Sequence, residues 1–211
     1  MLNSLLSKIY LLPIILLSLS VHELSHGFAA YKLGDTTAKD MGRLTLNPAA
    51  HLDIVGTVAM MFFGFGWAKP VPVNFSRLRY RRLGPILVAI AGPLSNILIA
   101  LVSYVFYALI WFKTGDAHGF FIEYLETAVV LNVTLAAFNL LPIPPLDGSK
   151  VVISLLPSRL QYKVYSYEPY IQIVLFILLY IGLLDPVIRG FSYIVMKWLN
   201  SIVSGIINFI A

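Results

Sequence analysis

The chain has 211 residues, of which 59% are apolar and only 12% charged, a balance that excludes an ordinary soluble domain and makes it a polytopic membrane protein. Its net charge of +5 lies in short loops between oily segments, so no nucleic-acid partner is expected. With no cysteine there is neither a disulfide framework nor a thiolate metal site, and any metal must take nitrogen and oxygen ligands.

A helix needs about 20 apolar residues to cross a bilayer, and five windows qualify, at roughly 4–31, 84–112, 121–141, 169–184 and 186–209. The fourth is short, and the last two are compatible with a hairpin. The first begins like a secretory signal, but Pro13 interrupts its core and no small-residue cleavage site follows, so it is expected to remain. Between the first two windows, Ile54 to Trp67 is apolar but broken by Gly56, Gly64 and Gly66, which predicts a re-entrant or interfacial segment. Next comes GWAKPVPVN, Gly66 to Asn74. Pro70 and Pro72 share strand parity, so one edge of an extended segment loses donors while the other keeps them. A short turn is the competing reading.

Basic residues gather in two sets. Lys32, Lys39, Arg43 and Lys69 join Arg77, Arg79, Arg81 and Arg82, while Lys150, Arg159 and Lys163 follow the third window. The positive-inside rule places both sets in the cytoplasm and the acidic 113–126 loop outside. The N-terminus is then expected outside and the C-terminus in the cytoplasm. No internal repeat or separate soluble domain is visible, so residues 1–211 read as one domain.

The first window ends in SVHELSHGFAAYKLGD, Ser20 to Asp35. On a helix, His22 and His26 lie one turn apart on one face and can grip one ion. Glu23 lies beside them, outside the ligand pair, where a general base of a metal hydrolase belongs. Chance, or buried helix-to-helix hydrogen bonding, is the bland alternative. Ionisable groups in a spanning helix are costly, however, and by default functional.

Two histidines leave a hydrolytic site short of a third protein ligand. His118, Glu123 and Glu126 fall on the expected outer side. Glu168 and Asp185 each precede a proline at a window boundary, and His51 and Asp53 open the re-entrant stretch, where capping or interfacial roles suit all four. Asp147 stands in NLLPIPPLDGSK, Asn139 to Lys150, where three prolines break the helix at membrane depth, and such backbone is tolerated only against protein or a watery cavity. Capping of the short helix VVISLL explains Asp147 equally well.

HELSH and NLLPIPPLDG together in one oily chain resemble the site-2 proteases, zinc metalloproteases that cleave within the membrane. The resemblance runs through about Leu156, so the core is about residues 1–156, with additional C-terminal transmembrane helices at about 169–209. It implies one Zn2+ per chain held by His22, His26 and Asp147, Glu23 as the base, and Asn139 orienting substrate or steadying the oxyanion. AGPLSN, Ala91 to Asn96, and the Gly66 to Asn74 stretch also look familiar, the latter as the hairpin or loop that lies near the substrate in this family. For AGPLSN, helix packing through small residues plus one interhelical amide bond stands as an equal alternative. PDZ and CBS domains of larger members have no room here.

The expected fold is therefore all-α and polytopic, with about five transmembrane helices, a re-entrant segment and a short β-hairpin. The expected function is intramembrane zinc metalloendopeptidase, acting on transmembrane proteins or peptides in regulated intramembrane proteolysis. The chain is expected to be multi-pass in the cell membrane, in contact with lipid and open to homo-oligomerisation. Three rivals stand beside this. A metal transporter would string its ionisable groups along a path, whereas here they cluster at one depth. A di-iron bundle would need a second E-x-x-H pair, which is absent. An inactive scaffold would not need Glu23.

Overall fold

A computed structural model describes residues 2–63, 66–115 and 119–210; His118 lies outside them. The chain is helical: α1 (Leu2–Lys32), α2 (Thr37–Asp40), α3 (Ile54–Phe63), α4 (Leu83–Thr114), α5 (Phe120–Asn139), α6 (Asp147–Leu155), α7 (Ser158–Tyr180) and α8 (Asp185–Ile210). Long apolar runs form helices here because in hydrocarbon every backbone group needs an internal partner.

Four helices are long and apolar enough to cross a membrane among the described residues: α1 from Leu11, α4, α5 and α8. The expected fifth is not among them. The fourth window belongs to α7, whose first half carries Arg159, Lys163 and Glu168; its apolar part, Tyr170 to Tyr180, rises only about 16 Å, half a bilayer core. Glu168 and Pro169 consequently sit inside one continuous helix rather than at a boundary.

Helix α4 is the hub, packing on α1, α5, α6 and α8. One core joins Ala100 of α4, Val129 and Val133 of α5, and Leu199 of α8. A second joins Leu141 and Leu146, at the α5–α6 turn, to Leu175 of α7 and Leu184, at the α7–α8 turn. Val203, Ser204 and Asn208 line a groove with Tyr104, Tyr107 and Trp111, so α8 runs parallel to α4. The end of α8 therefore lies beside the end of α4, not with the basic loops where the C-terminus was expected.

The re-entrant stretch forms α3, with the Asp53 carboxylate capping the Gly56 N–H at 2.8 Å. The chain then returns along α3, because Trp67 backbone occupies the space a Cβ on Gly56 would need. No β-hairpin follows: among the described residues the only pairing is one antiparallel bridge, Leu52 to Ala68. Side chains hold the extended segment instead. Glu23 Oε2 accepts from the Val71 N–H at 2.8 Å and Asp35 Oδ2 from the Asn74 N–H at 2.6 Å, while Arg43 donates to the carbonyls of Lys69 and Pro70. Pro70 and Pro72 have no donor to offer a partner strand.

Candidate metal centre

His22 and His26 project from the last third of α1 toward α4, and both are buried. Gly92 of α4 makes that approach possible. A Cβ there would stand 2.4 Å from His26 Nε2 and 2.6 Å from His22 Cε1, so only glycine fits against the two rings.

Asp147 arrives from the other side as the first residue of α6, where the helix dipole favours its charge. The prolines end α5 and turn the chain back on itself, bringing Gly148 against Leu140; a Cβ on Gly148 would lie 2.1 Å from the Leu140 carbonyl oxygen. Asp147 Oδ2 stands 3.1 Å from His22 Nε2 and 3.0 Å from His26 Nε2, and the two Nε2 atoms are 3.0 Å apart. Two motifs separated by more than a hundred residues thus meet in one triangle of donor atoms.

The hydrogen-bond network fixes what those atoms carry. The Ala128 carbonyl can only accept, so the Asn132 amide nitrogen faces it at 2.9 Å. Asn132 Oδ1 then accepts from Asn96 Nδ2 at 3.2 Å, which leaves Asn96 Oδ1 to accept from His22 Nδ1 at 2.7 Å. His26 Nδ1 donates to the Val88 carbonyl at 2.7 Å. In their neutral form both rings therefore carry the proton on Nδ1 and turn an Nε2 lone pair inward.

With the rings in that form, three lone-pair atoms face one another within 3.0–3.1 Å with no hydrogen between them. Such a buried cluster suits a cation, and two imidazoles with one carboxylate oxygen match the donor set of a hydrolytic zinc site. Lys150 adds a further control. Its Nζ binds Asp147 Oδ1 at 2.9 Å, which leaves Oδ2 alone to face the histidines.

Glu23 is half-buried beside the triangle, its Oε2 held by the Val71 N–H. Asn139 is not brought into this constellation: its amide nitrogen donates to the Leu135 carbonyl of its own helix at 3.0 Å. His51 and Asp53 stand apart, His51 bonded to the Thr45 carbonyl and Asp53 capping α3. The bond from Lys150 to Asp147, the clearance at Gly92 and the relay through Asn132 were not assigned from the sequence. Lys150 looked like one more positive-inside lysine; its place one helical turn after Asp147 was the available signal.

A membrane-embedded metallohydrolase is the class these features define. The model for Peptidase family M50 matches residues 113–182, the part containing Asp147. The chain is similar to YwhC of Bacillus subtilis strain 168, 38% identical over 201 residues that cover 91% of this chain and 86% of the relative. It is also similar to Rip2 of Mycolicibacterium smegmatis, 33% identical over 63% of this chain and 52% of the relative. Rip2 of Mycobacterium tuberculosis H37Rv is 28% identical over 87% and 70%. All three bear zinc metalloprotease names. No solved structure matches the chain. The chain belongs to peptidase family M50, the site-2 proteases, and its cofactor is zinc.

Proposed function

We propose that this chain is an endopeptidase that cuts peptide bonds within or near the transmembrane segments of other membrane proteins, the chemistry of regulated intramembrane proteolysis. The observation that carries the reading is the depth of the donor triangle: two of its members stand on a spanning helix and all three are buried. A substrate must reach that depth, which suits a segment already in the membrane.

Zinc held by His22, His26 and Asp147 supplies Lewis acidity, acidifying water and polarising a carbonyl. Glu23 takes a proton from the attacking water and delivers it to the leaving amine as the C–N bond breaks. The Val71 N–H, holding one carboxylate oxygen, aims the base. Asn139 enters as an oxyanion donor only if its side chain leaves the Leu135 carbonyl on substrate binding. With the basic loops in the cytoplasm, as the positive-inside rule suggests, cleavage falls toward the cytoplasmic half of a cell membrane.

A helical substrate hides its amides, so the cut segment has to unwind. Protein reconstituted in vesicles should cleave a transmembrane substrate bearing helix breakers near the cut, and Glu23→Gln should abolish cleavage while retaining zinc. A strong helix-forming run around the cut should slow cleavage at least tenfold, on the order of 1.4 kcal/mol of unwinding cost. An unchanged rate would refute cleavage of an unwound membrane segment.

A further inference from the structure

The outward face of α8 carries chemistry that the metal centre does not use. Leu199 and Val203 turn inward against α4 and α5, whereas Lys197, Asn200, Ser201, Ser204 and Asn208 are all exposed. Their spacing of three and four residues draws one polar stripe down one face. In the most apolar window of α8 only 11% of residues are buried, against 44% for α5, so this span is the least covered of the four.

Lys197 is the anomaly in that stripe. It lies 12 residues into a 26-residue helix, about 18 Å from its start, close to the middle of the span. Lysines near helix ends extend their ammonium to the interface; one at mid-span is costly unless paired. Lys197 makes no ion pair with any described residue. Beside the stripe, Tyr104, Tyr107 and Trp111 of α4 frame a groove of 340 Å³ with Ser204 and Asn208, and the Tyr104 hydroxyl donates to Asn200 Oδ1.

We propose that this face docks a partner's transmembrane helix that carries a carboxylate near the middle of its span. Charge complementarity selects that occupant. A second copy meeting the same face about a twofold axis would set Lys197 against Lys197 at one depth, two like charges in low dielectric. A lipid headgroup lies at the surface, away from mid-span. A carboxylate-bearing helix pairs with the ammonium, meets the serine and asparagine groups with its own polar atoms and places side chains in the groove.

The test uses the absence of native cysteine. A single Lys113→Cys variant carries a donor dye, and the full-length protein is reconstituted in phosphatidylcholine vesicles. Acceptor-labelled leucine-alanine helices of one spanning length bear Glu, Gln, Leu or Lys at the central position. Half-saturation of energy transfer should come at about threefold to thirtyfold lower ratio of peptide to lipid for the Glu helix, the range polar contacts between membrane helices cover. Lys197→Leu should erase that preference and Lys197→Glu should transfer it to the Lys helix, with zinc content unchanged in both. Equal binding of all helices, of the Glu and Gln helices, or a preference that survives Lys197→Glu would overturn the proposal. So would energy transfer between two protein copies stronger than transfer to the Glu helix.

Discussion

Replacing Asn96 with leucine should weaken zinc binding without touching a ligand. In the native site Asn96 Oδ1 holds the His22 proton on Nδ1 at 2.7 Å, and both residues are buried. Without Asn96, the metal-free protein has an escape: His22 can move its proton to Nε2 and donate to Asp147 Oδ2, 3.1 Å away. Zinc binding reverses that escape and leaves a buried N–H with no acceptor, at about 1–3 kcal/mol. Nearly all of this cost falls on the metal-bound state, so affinity should drop about fivefold to 150-fold, overlapping the tenfold to hundredfold seen when partners of metal ligands are removed. A competition titration with a zinc-chelating dye in detergent measures it. Asn96→Asp keeps an acceptor for Nδ1–H but sets a second carboxylate oxygen against Asn132 Oδ1, so it should lose affinity, though less than Asn96→Leu does. Equal losses in the two variants would mean that Asn96 acts through packing, and an unchanged affinity in folded Asn96→Leu would refute the tautomer argument altogether.

Asp147→Ala should lose the bound zinc, about one ion per chain by elemental analysis in the native protein; retention would place the third ligand elsewhere. Gly92→Ala introduces a methyl 2.4 Å from His26 Nε2, and metal content and unfolding temperature should both fall, since neither α1 nor α4 yields without repacking. Lys150→Met frees Asp147 Oδ1 and should weaken zinc binding about tenfold, with Lys150→Arg restoring most of it, both read by the same titration. Asp35 predicts a pH dependence at the far end of the extended segment. Burial opposes its ionisation, but the Thr37 hydroxyl, the Asn74 and Thr37 N–H groups and the Arg77 charge hold its pKa below the ordinary value. A depressed folded pKa means stability that is complete above the unfolded value, near pH 4, and lost as pH falls through the folded one. The unfolding-temperature gap between wild type and Asp35→Asn should therefore be constant above about pH 5 and narrow below about pH 4; a gap that widens in acid would refute the sign.

How much of this was legible in the sequence depends on the length scale of each constraint. The spanning helices follow from local composition, because lipid leaves an apolar run no alternative to a helix. The clustering of His22, His26 and Asp147 was legible because the chemistry restricts residue type and HELSH sets two histidines one turn apart; Asp147 was found only through its motif, since a lone Leu-Asp-Gly reads equally well as a helix cap. The hairpin failed for a specific reason. Strand parity in KPVPV shows which N–H groups are free, but not that Glu23 and Asp35, both on the α1 side, reach two of the segment's N–H groups before any strand does. The fifth span failed because the apolar end of α7 is continuous with a charged first half, and a window laid over residues 169–184 does not register what the rest of the helix carries.

The groups that set the histidine tautomers are where sequence reading stops for a physical reason. Val88 contributes a carbonyl, Ala128 contributes a carbonyl and Gly92 contributes an absence; none has a side chain that advertises chemistry. Asn96 and Asn132 do, yet a single amide in a membrane helix more often packs than positions, and only a three-helix register turns the pair into a relay from Ala128 to His22. The same register also explains why α4 is the hub. In little more than two turns, Val88 to Asn96, it presents the acceptor for one histidine, the clearance for both and the acceptor for the other. Sliding α4 by one residue against α1 would lose all three at once, so its packing against α1 and α5 sets the register on which the metal site depends.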